Sequence, residues 1–394
     1  MDFTKIYNEY ENTKNVCQFS IDYQQNNAAT RFLLIRSLDK NNLKDIVDCY
    51  SEEKADSKDN LLSLTQKAYN SRVTIKDLIL YIESKRVELI EQRETELSGL
   101  QDILAAFPVV NCGVRNDKVD DIVKSFVRNK SLKTLDELTT ELDGKLLPRI
   151  KQYSMWSYYN QTSNDIIELF FLKHNKVIPT LRKIHDIDFF LKIGEDIIPF
   201  DLKFTHISDS YFDLVSKGIT RNQNSKLHDD FCENNIGQSE TGIIKDYYKK
   251  VKLKLKLPNF KDLEINDKNE ICNQLLLTGN ADAVKFVNMM KQNHKNYVPC
   301  DSESLHQLEW WNYKDQGERL FCNNNRLFVF LAYTNEFVDG RGLKGKTKEI
   351  GKKITDLLDN LTESDIHTVK YHYDKEQSCS GDYTALSIST IYSE

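Results

Sequence analysis

The sequence lacks long apolar runs and any segment that would send the chain to a membrane. No apolar stretch reaches the length of about 18 residues that a membrane-spanning helix needs. The first residues, Met-Asp-Phe-Thr-Lys-Ile-Tyr-Asn-Glu, do not have the charged-then-apolar order of a secretory signal. We therefore expect no membrane association, and we expect a chain that resides in the cytoplasm.

Closely spaced cysteines are also missing. The eight cysteines are spread along the chain, and no two of them form a Cys-x-x-Cys pair. His294, Cys300 and His306 are too far apart for a common ligand pattern. This spacing predicts reduced thiols and argues against a zinc site.

The sequence also has no excess of positive charge. The net charge of −6 argues mildly against a nucleic-acid partner, because neutralisation of phosphates favours basic surfaces. Two local segments, 244–256 and 341–353, nevertheless each carry six basic residues against one acidic residue. They could line a DNA groove or be ordinary solvated faces. The candidate DNA-binding residues are Lys250, Lys252, Lys254, Arg341, Lys344 and Lys346. Strict alternation over 251–257 predicts a strand with three lysines on one face.

What the sequence does contain is enough apolar and aromatic material for two or three domains in its 394 residues. Residues 1–150 are predicted to form an all-helical N-terminal domain for DNA recognition or dimerisation, with one long helix over 74–107. Residues 151–394 are predicted to form an α/β domain with a mixed sheet and an insertion at about 208–325. A buried strand is expected over 326–333, and further strands are expected over 366–373 and 383–391.

The most informative segment is 184–206, which predicts two strands joined by a turn around Gly194. Because successive side chains of a strand point to opposite faces, Asp186 and Asp188 share a face of the first strand. Asp201 and Lys203 likewise share a face of the second. If the strands pair with these faces on one side, the carboxylates and the lysine converge.

This combination of residue types is suited to phosphodiester hydrolysis. Mg²⁺ prefers carboxylate oxygens and water, and it needs only one or two protein carboxylates besides substrate phosphate. It can polarise a phosphoryl oxygen and lower the pKa of a bound water. Lys203 could orient or deprotonate that water.

Asp188 followed by Asp201-Leu202-Lys203 resembles the PD-(D/E)xK nuclease superfamily, which includes the type II restriction endonucleases. The family pattern is an acidic residue on one strand and acidic-x-Lys on the next. No proline precedes Asp186 or Asp188, so the first acidic residue stays ambiguous between them, with Asp188 preferred because Phe189-Phe190-Leu191 follows it. Members often carry a glutamate on the preceding helix, and Glu168, in a helix predicted to begin near Thr162, fits that position.

The resemblance implies a restriction-endonuclease-like core and a Mg²⁺-dependent endonuclease that cuts double-stranded DNA at a specific sequence. It implies Asp188, Asp201, Lys203 and Glu168 as catalytic residues, with Asp188, Asp201 and the alternative Asp186 as metal ligands. A homodimer is expected, because a two-fold DNA site is most simply cut by a two-fold protein.

Three other interpretations remain open at the level of sequence. The segment 184–206 could be a solvated hairpin with ordinary surface charges. Gly340 to Thr347 satisfies the bare pattern G-x-x-x-x-G-K-[ST] of a nucleotide-binding P-loop, although 334–339 separate it from the preceding strand. The third alternative is a DNA-binding protein without catalytic activity.

Overall fold

A computed structural model describes residues 2–13, 27–107, 119–184, 187–219, 238–259, 268–315, 324–375, 377 and 380–394. The N-terminal half of this described part is helical. Its helices are α1 (Phe3–Thr13), α2 (Asn27–Arg36), α3 (Lys40–Tyr50), α4 (Leu61–Asn70), α5 (Ile75–Leu97), α6 (Leu100–Ala105), α7 (Val119–Val127), α8 (Leu135–Glu141) and α9 (Leu147–Lys173). A short π-helical segment, Leu142–Leu146, leads into α9.

The remaining elements combine a sheet with further helices. They are β1 (Val177–Ile184), β2 (Ile187–Ile193), β3 (Asp196–His206), α10 (Asp209–Ser216), α11 (Glu240–Leu255), α12 (Lys268–Leu277), α13 (Ala281–Tyr297), α14 (Ser302–Lys314), β4 (Arg326–Ala332), α15 (Thr347–Asn360), β5 (His367–Tyr373) and β6 (Gly381–Ser393), with 3₁₀ turns at Gly340–Gly345 and Glu363–Asp365. The protein is therefore a mixed α/β protein. No helix in the described ranges has both the length and the apolar character needed to cross a membrane.

The six strands form one mixed sheet in the order β1-β2-β3-β4-β6-β5. β1, β2 and β3 form an antiparallel meander, and β4 pairs parallel to both β3 and β6. β5 pairs antiparallel to β6 at the edge of the sheet. The strands expected near residues 326, 366 and 383 are confirmed as β4, β5 and β6, whereas β1 was not predicted.

The two faces of the sheet are covered by different helices. The back face, which carries Phe189, Phe200 and Leu327, packs against α9 and α15. On the front face, Phe190 of β2 packs with the N-terminal helices, while Phe328 of β4 packs with α10 and α14. The front sides of β2 and β3 therefore lie between two separate apolar clusters.

The helical N-terminal region and the sheet share a core. Ile178 and Phe190 belong to the apolar cluster formed by α1 to α5, and α9 runs across residue 150 without a break. Between the neighbouring parallel strands β3 and β4, the described residues form only helices, α10 to α14. This segment corresponds to the expected insertion at about 208–325.

Three local predictions are wrong. The helix over 74–107 is interrupted, because Gly99 adopts a left-handed conformation with φ of 78° that a continuous right-handed helix does not contain. The Glu168 helix begins at Leu147, well before Thr162. Residues 251–255 belong to α11, whose inward residues Ile244 and Tyr248 follow the period of a helix and pack in one apolar cluster.

Candidate active site

The hairpin of β2 and β3 places the predicted acidic residues side by side. Phe190 pairs with Pro199 and Phe189 with Phe200, so the same register puts Asp188 opposite Asp201. The backbone N–H of Leu202 donates a hydrogen bond of 2.8 Å to Oδ2 of Asp188. The alternating geometry of β3 then directs Lys203 to the same front face as Asp201. Pairing of the strands thus brings Asp188, Asp201 and Lys203 together, as the sequence predicted.

Asp186 falls on a position that lies outside the described residues, as does His185. The described strand β1 ends at Ile184, and β2 begins at Ile187. Asp188 is therefore the acidic residue of this hairpin that the structure places opposite Asp201. The choice between Asp186 and Asp188 as first metal ligand stays a prediction.

The electrostatics of the site favour a bound cation. Partial loss of solvent around the carboxyl, followed by the charge of Asp201, raises the pKa of Asp188 to about 7. Burial and then the positive charge of Arg326 lower the pKa of the Lys203 amine, against the opposing effect of Asp201 and Asp188. A carboxylate that is costly to ionise next to another one is stabilised when a cation binds between them.

The donor set fits a hard divalent cation. Asp188 and Asp201 offer carboxylate oxygens, which Mg²⁺ prefers, and the ion needs only one or two of them because water and substrate phosphate complete its shell. Within the described ranges, no group of three or more His, Cys, Asp or Glu side chains is arranged to hold a metal ion. The fit therefore rests on the two aspartates.

Glu168 lies near this pair but not in the core. Its side chain is exposed on α9. It lines a cavity of about 200 Å³ together with Asp188, Lys183 and Arg93. Partial enclosure, followed by the charge of Asp165, raises the pKa of its carboxyl. Glu168 in turn contributes to the raised pKa of Asp188, so the two charges interact.

Two neighbours of the site were missed from the sequence. Arg326, the first residue of β4, places its Nε 3.4 Å from Oδ2 of Asp201 and is 1% exposed. Arg93 reaches the cavity from α5, so the N-terminal helices contribute to its wall. A charged residue directly before the apolar run of β4 was the only sequence signal for Arg326, while Arg93 gave none.

The loop with the P-loop pattern, Gly340 to Thr347, is packed against α9 and β4. A phosphate-binding loop presents its backbone N–H groups to the ligand. Here the N–H of Gly345 donates to the Tyr159 hydroxyl at 2.6 Å, and that hydroxyl donates to the carbonyl of Gly342 at 2.7 Å. A Cβ on Gly340 would lie 2.0 Å from the carbonyl oxygen of Leu331. The glycines of this segment thus permit close packing against α9 and β4.

The candidate DNA-binding residues of this C-terminal segment are engaged within the chain. Lys344 is 2% exposed and donates to Oδ1 of Asn160 and of Asn164. Lys346 pairs with Glu394 at 3.2 Å. Arg341 pairs with Asp339 and lies over the ring of Trp156.

The candidate DNA-binding residues of the basic segment 244–256 lie on α11 rather than on a strand. Lys250 and Lys254 are exposed one helical turn apart. Lys252 lies on another side of the helix, where it contacts Asn259. The predicted face with three lysines therefore does not form.

Comparison with known protein families, curated proteins and solved structures found no match to this chain.

Proposed function

We propose that this protein is a Mg²⁺-dependent phosphodiester hydrolase, specifically an endonuclease of the restriction type that cuts double-stranded DNA. The observation that carries the proposal is the convergence of Asp188, Asp201 and Lys203 on one face of two paired strands. The raised pKa of Asp188 adds to it, because an unneutralised carboxylate pair there is unfavourable.

The order of elements supports the resemblance to the PD-(D/E)xK nucleases. Glu168 lies on α9, the helix that precedes the sheet, and Asp188 and Asp201-x-Lys203 follow on adjacent strands. This is the order in which the family pattern described above places its acidic residues and lysine. The proposal accordingly assigns 5′-phosphate and 3′-hydroxyl ends to the products.

In the proposed mechanism, Asp188 and Asp201 would hold the ion, and the N–H of Leu202 fixes the orientation of Asp188. When bound, Mg²⁺ supplies charge for the phosphoryl oxygen and for the leaving oxygen. Lys203 lies where it can orient a water, and its lowered pKa favours the neutral amine that can accept a proton. Glu168 supports the site from the cavity wall, directly or through water.

Access to the site is compatible with a large substrate. Asp188 is exposed, and Asp201 and Lys203 are partly exposed, so the front face is open to solvent between the two apolar clusters. Lys183 and Arg93 at the adjacent cavity offer positive charge to a phosphate backbone. A homodimer, which would match a two-fold DNA site, is part of the proposal.

Digestion of a plasmid of known sequence with and without Mg²⁺ tests this function. We expect discrete fragments with the unaltered protein. With Asp201→Ala or Lys203→Ala, the rate of cleavage should fall about 100-fold or more, which is the range for removal of a catalytic group. Asp196→Ala and Lys192→Ala are matched controls, because both residues are exposed at the other end of the same hairpin. These controls should cut normally.

Full Mg²⁺-dependent cleavage by Asp201→Ala or Lys203→Ala would refute the assignment of the site. A smear of fragments would indicate a nonspecific nuclease rather than a sequence-specific one. Retarded DNA mobility without any metal-stimulated cutting would favour the DNA-binding protein without catalytic activity. Binding of ATP that is abolished by Lys346→Ala would favour the P-loop alternative.

A further inference from the structure

Arg326 stands at the centre of a row of polar residues that crosses the front face of the sheet. In the register of the parallel strands, Arg326 of β4 pairs with Asp201 of β3 on one side and with Ser387 of β6 on the other. Ser387 pairs in turn with His367 of β5. Paired residues of adjacent strands share a face, so Arg326 is the buried positive charge next to the acidic pair.

The guanidinium group of Arg326 is held in place by the ring of Tyr313, a residue of α14. Its central carbon lies 5.0 Å from the centroid of the ring. The Tyr313 hydroxyl donates to the carbonyl oxygen of Asn324 at 2.6 Å and lies 3.2 Å from the carbonyl oxygen of Leu386, which fixes the ring. Stacking on an aromatic face stabilises a buried arginine and restricts its direction.

The backbone that carries Arg326 is also fixed relative to Asp201. The N–H of Asp201 donates to the carbonyl oxygen of Asn325 at 2.9 Å. The side chain of Asn325 bridges two strands, because its amide donates to the carbonyl of Pro199 and its oxygen accepts from the N–H of Leu386. Arg326 and Asp201 are therefore held at a constant separation by buried hydrogen bonds.

We propose that Arg326 is a positioning residue that fixes the Asp201 carboxylate and sets the affinity of the acidic pair for a divalent cation. This inference rests on the proposed function, since it concerns the same two aspartates. The Nε of Arg326 lies 3.4 Å from Oδ2 of Asp201, so the arginine contacts one of the two oxygens of this carboxylate. Its charge repels a divalent cation, so the site binds the ion more weakly but in a better defined geometry.

The affinity of the full chain for Mn²⁺ alone tests the proposal. It is measured by electron paramagnetic resonance, which detects the free ion. Arg326→Gln removes the opposing charge, and we expect Mn²⁺ to bind about three- to ten-fold more tightly, as for one charge in a partly solvated site. At saturating Mg²⁺, cleavage should fall about 10- to 100-fold, because the carboxylate loses its fixed orientation. Arg326→Lys retains the charge and should restore the Mn²⁺ affinity.

Arg31 provides a matched control. It is also an arginine over a tyrosine ring, with its central carbon 5.1 Å from the centroid of Tyr69, and it donates to the carbonyls of Val73 and Ser71 in the N-terminal helices. Arg31→Gln should lower the stability of the protein without changing Mn²⁺ affinity. If Arg326→Gln does not fold, Tyr313→Leu, which frees the guanidinium, should change Mn²⁺ affinity at least two-fold.

An unchanged or weaker Mn²⁺ affinity of folded Arg326→Gln would overturn the proposal, and so would an unaltered protein that binds no Mn²⁺. If the unaltered protein binds Mn²⁺ but cuts no DNA, the proposed function fails. In that case a tighter affinity in Arg326→Gln would still support the role of Arg326 toward the acidic pair.

Discussion

Replacement of Asp188 by asparagine should stabilise the metal-free protein, and this gain should depend on pH. Asn has nearly the shape of Asp but carries no charge. Asp188 is partly shielded from solvent and faces Asp201, and both effects raise its pKa from 3.8 to about 7. Ionisation of Asp188 therefore costs more in the folded state than in the unfolded chain.

The size of this effect follows from the pKa. A rise of this size corresponds to an upper limit of about 4 kcal/mol, at about 1.4 kcal/mol per pKa unit. Because Asp188 is exposed to solvent on one side, screening reduces the contribution, and we expect about 1 to 1.5 kcal/mol.

The sign follows from the protonation states. Well below the unfolded pKa of 3.8, both the folded and the unfolded chain carry a neutral Asp188, so its contribution to stability is fully present. As pH rises from about 4 to 7, the unfolded chain ionises freely while the folded chain resists, and this stability is lost. The advantage of Asp188→Asn should therefore grow between pH 4.5 and 7 and stay level above pH 7.

Urea unfolding with a chelator present, at several pH values between 4.5 and 8, measures this effect. Asp196→Asn, at the other end of β3, is the control and should show no comparable gain. Addition of Mg²⁺ at pH 7.5 should stabilise the unaltered protein, by about 1.4 kcal/mol at ten times the dissociation constant. It should not stabilise Asp188→Asn. A gain that is the same at every pH, or a loss of stability at pH 8, would refute the reasoning.

Three further substitutions test stability away from the site. Gly340→Ala should cost about 1 to 3 kcal/mol, because the new methyl group meets the backbone of Leu331. Gly144→Ala, in a helical segment where the new Cβ meets no atom of another element within 4 Å, should be neutral or stabilising by up to about 1 kcal/mol. Glu240→Gln should cost about 3 to 5 kcal/mol, since fully buried Glu240 accepts from Lys268 at 2.7 Å and from His294 at 3.0 Å. Urea unfolding measures all three, and a Gly340→Ala protein as stable as Gly144→Ala would contradict the packing argument.

Some sequence patterns predicted the structure because short-range geometry determines them. The turn at Gly194 fixes how β2 and β3 pair, and the period of a strand then decides which side chains share a face. The buried strand at Arg326 was visible as a continuous apolar run, as expected for a strand covered on both faces. These elements needed no knowledge of the rest of the chain.

Other patterns failed because distant residues decided between two local possibilities. The alternation of lysine and leucine after Val251 suits a strand, but Ile244 and Tyr248 one turn apart pack into an apolar cluster with α12 and α13, and this packing selects a helix. Leu253 is consequently 90% exposed. The helix of Glu168 was predicted to begin near Thr162, whereas α9 begins at Leu147, packs through other residues and leaves Glu168 exposed beside a cavity.

The sequence by itself determined the hairpin and therefore that Asp201 and Lys203 share a face, because strand period and turn position are local properties. Only the tertiary structure decided what surrounds that group. The parallel pairing of β3 with β4 brings Arg326 to Asp201 across more than a hundred residues of intervening chain, and α14 supplies Tyr313 beneath it. Such neighbours depend on sheet order and on the packing of distant helices, and local sequence patterns predict neither of these.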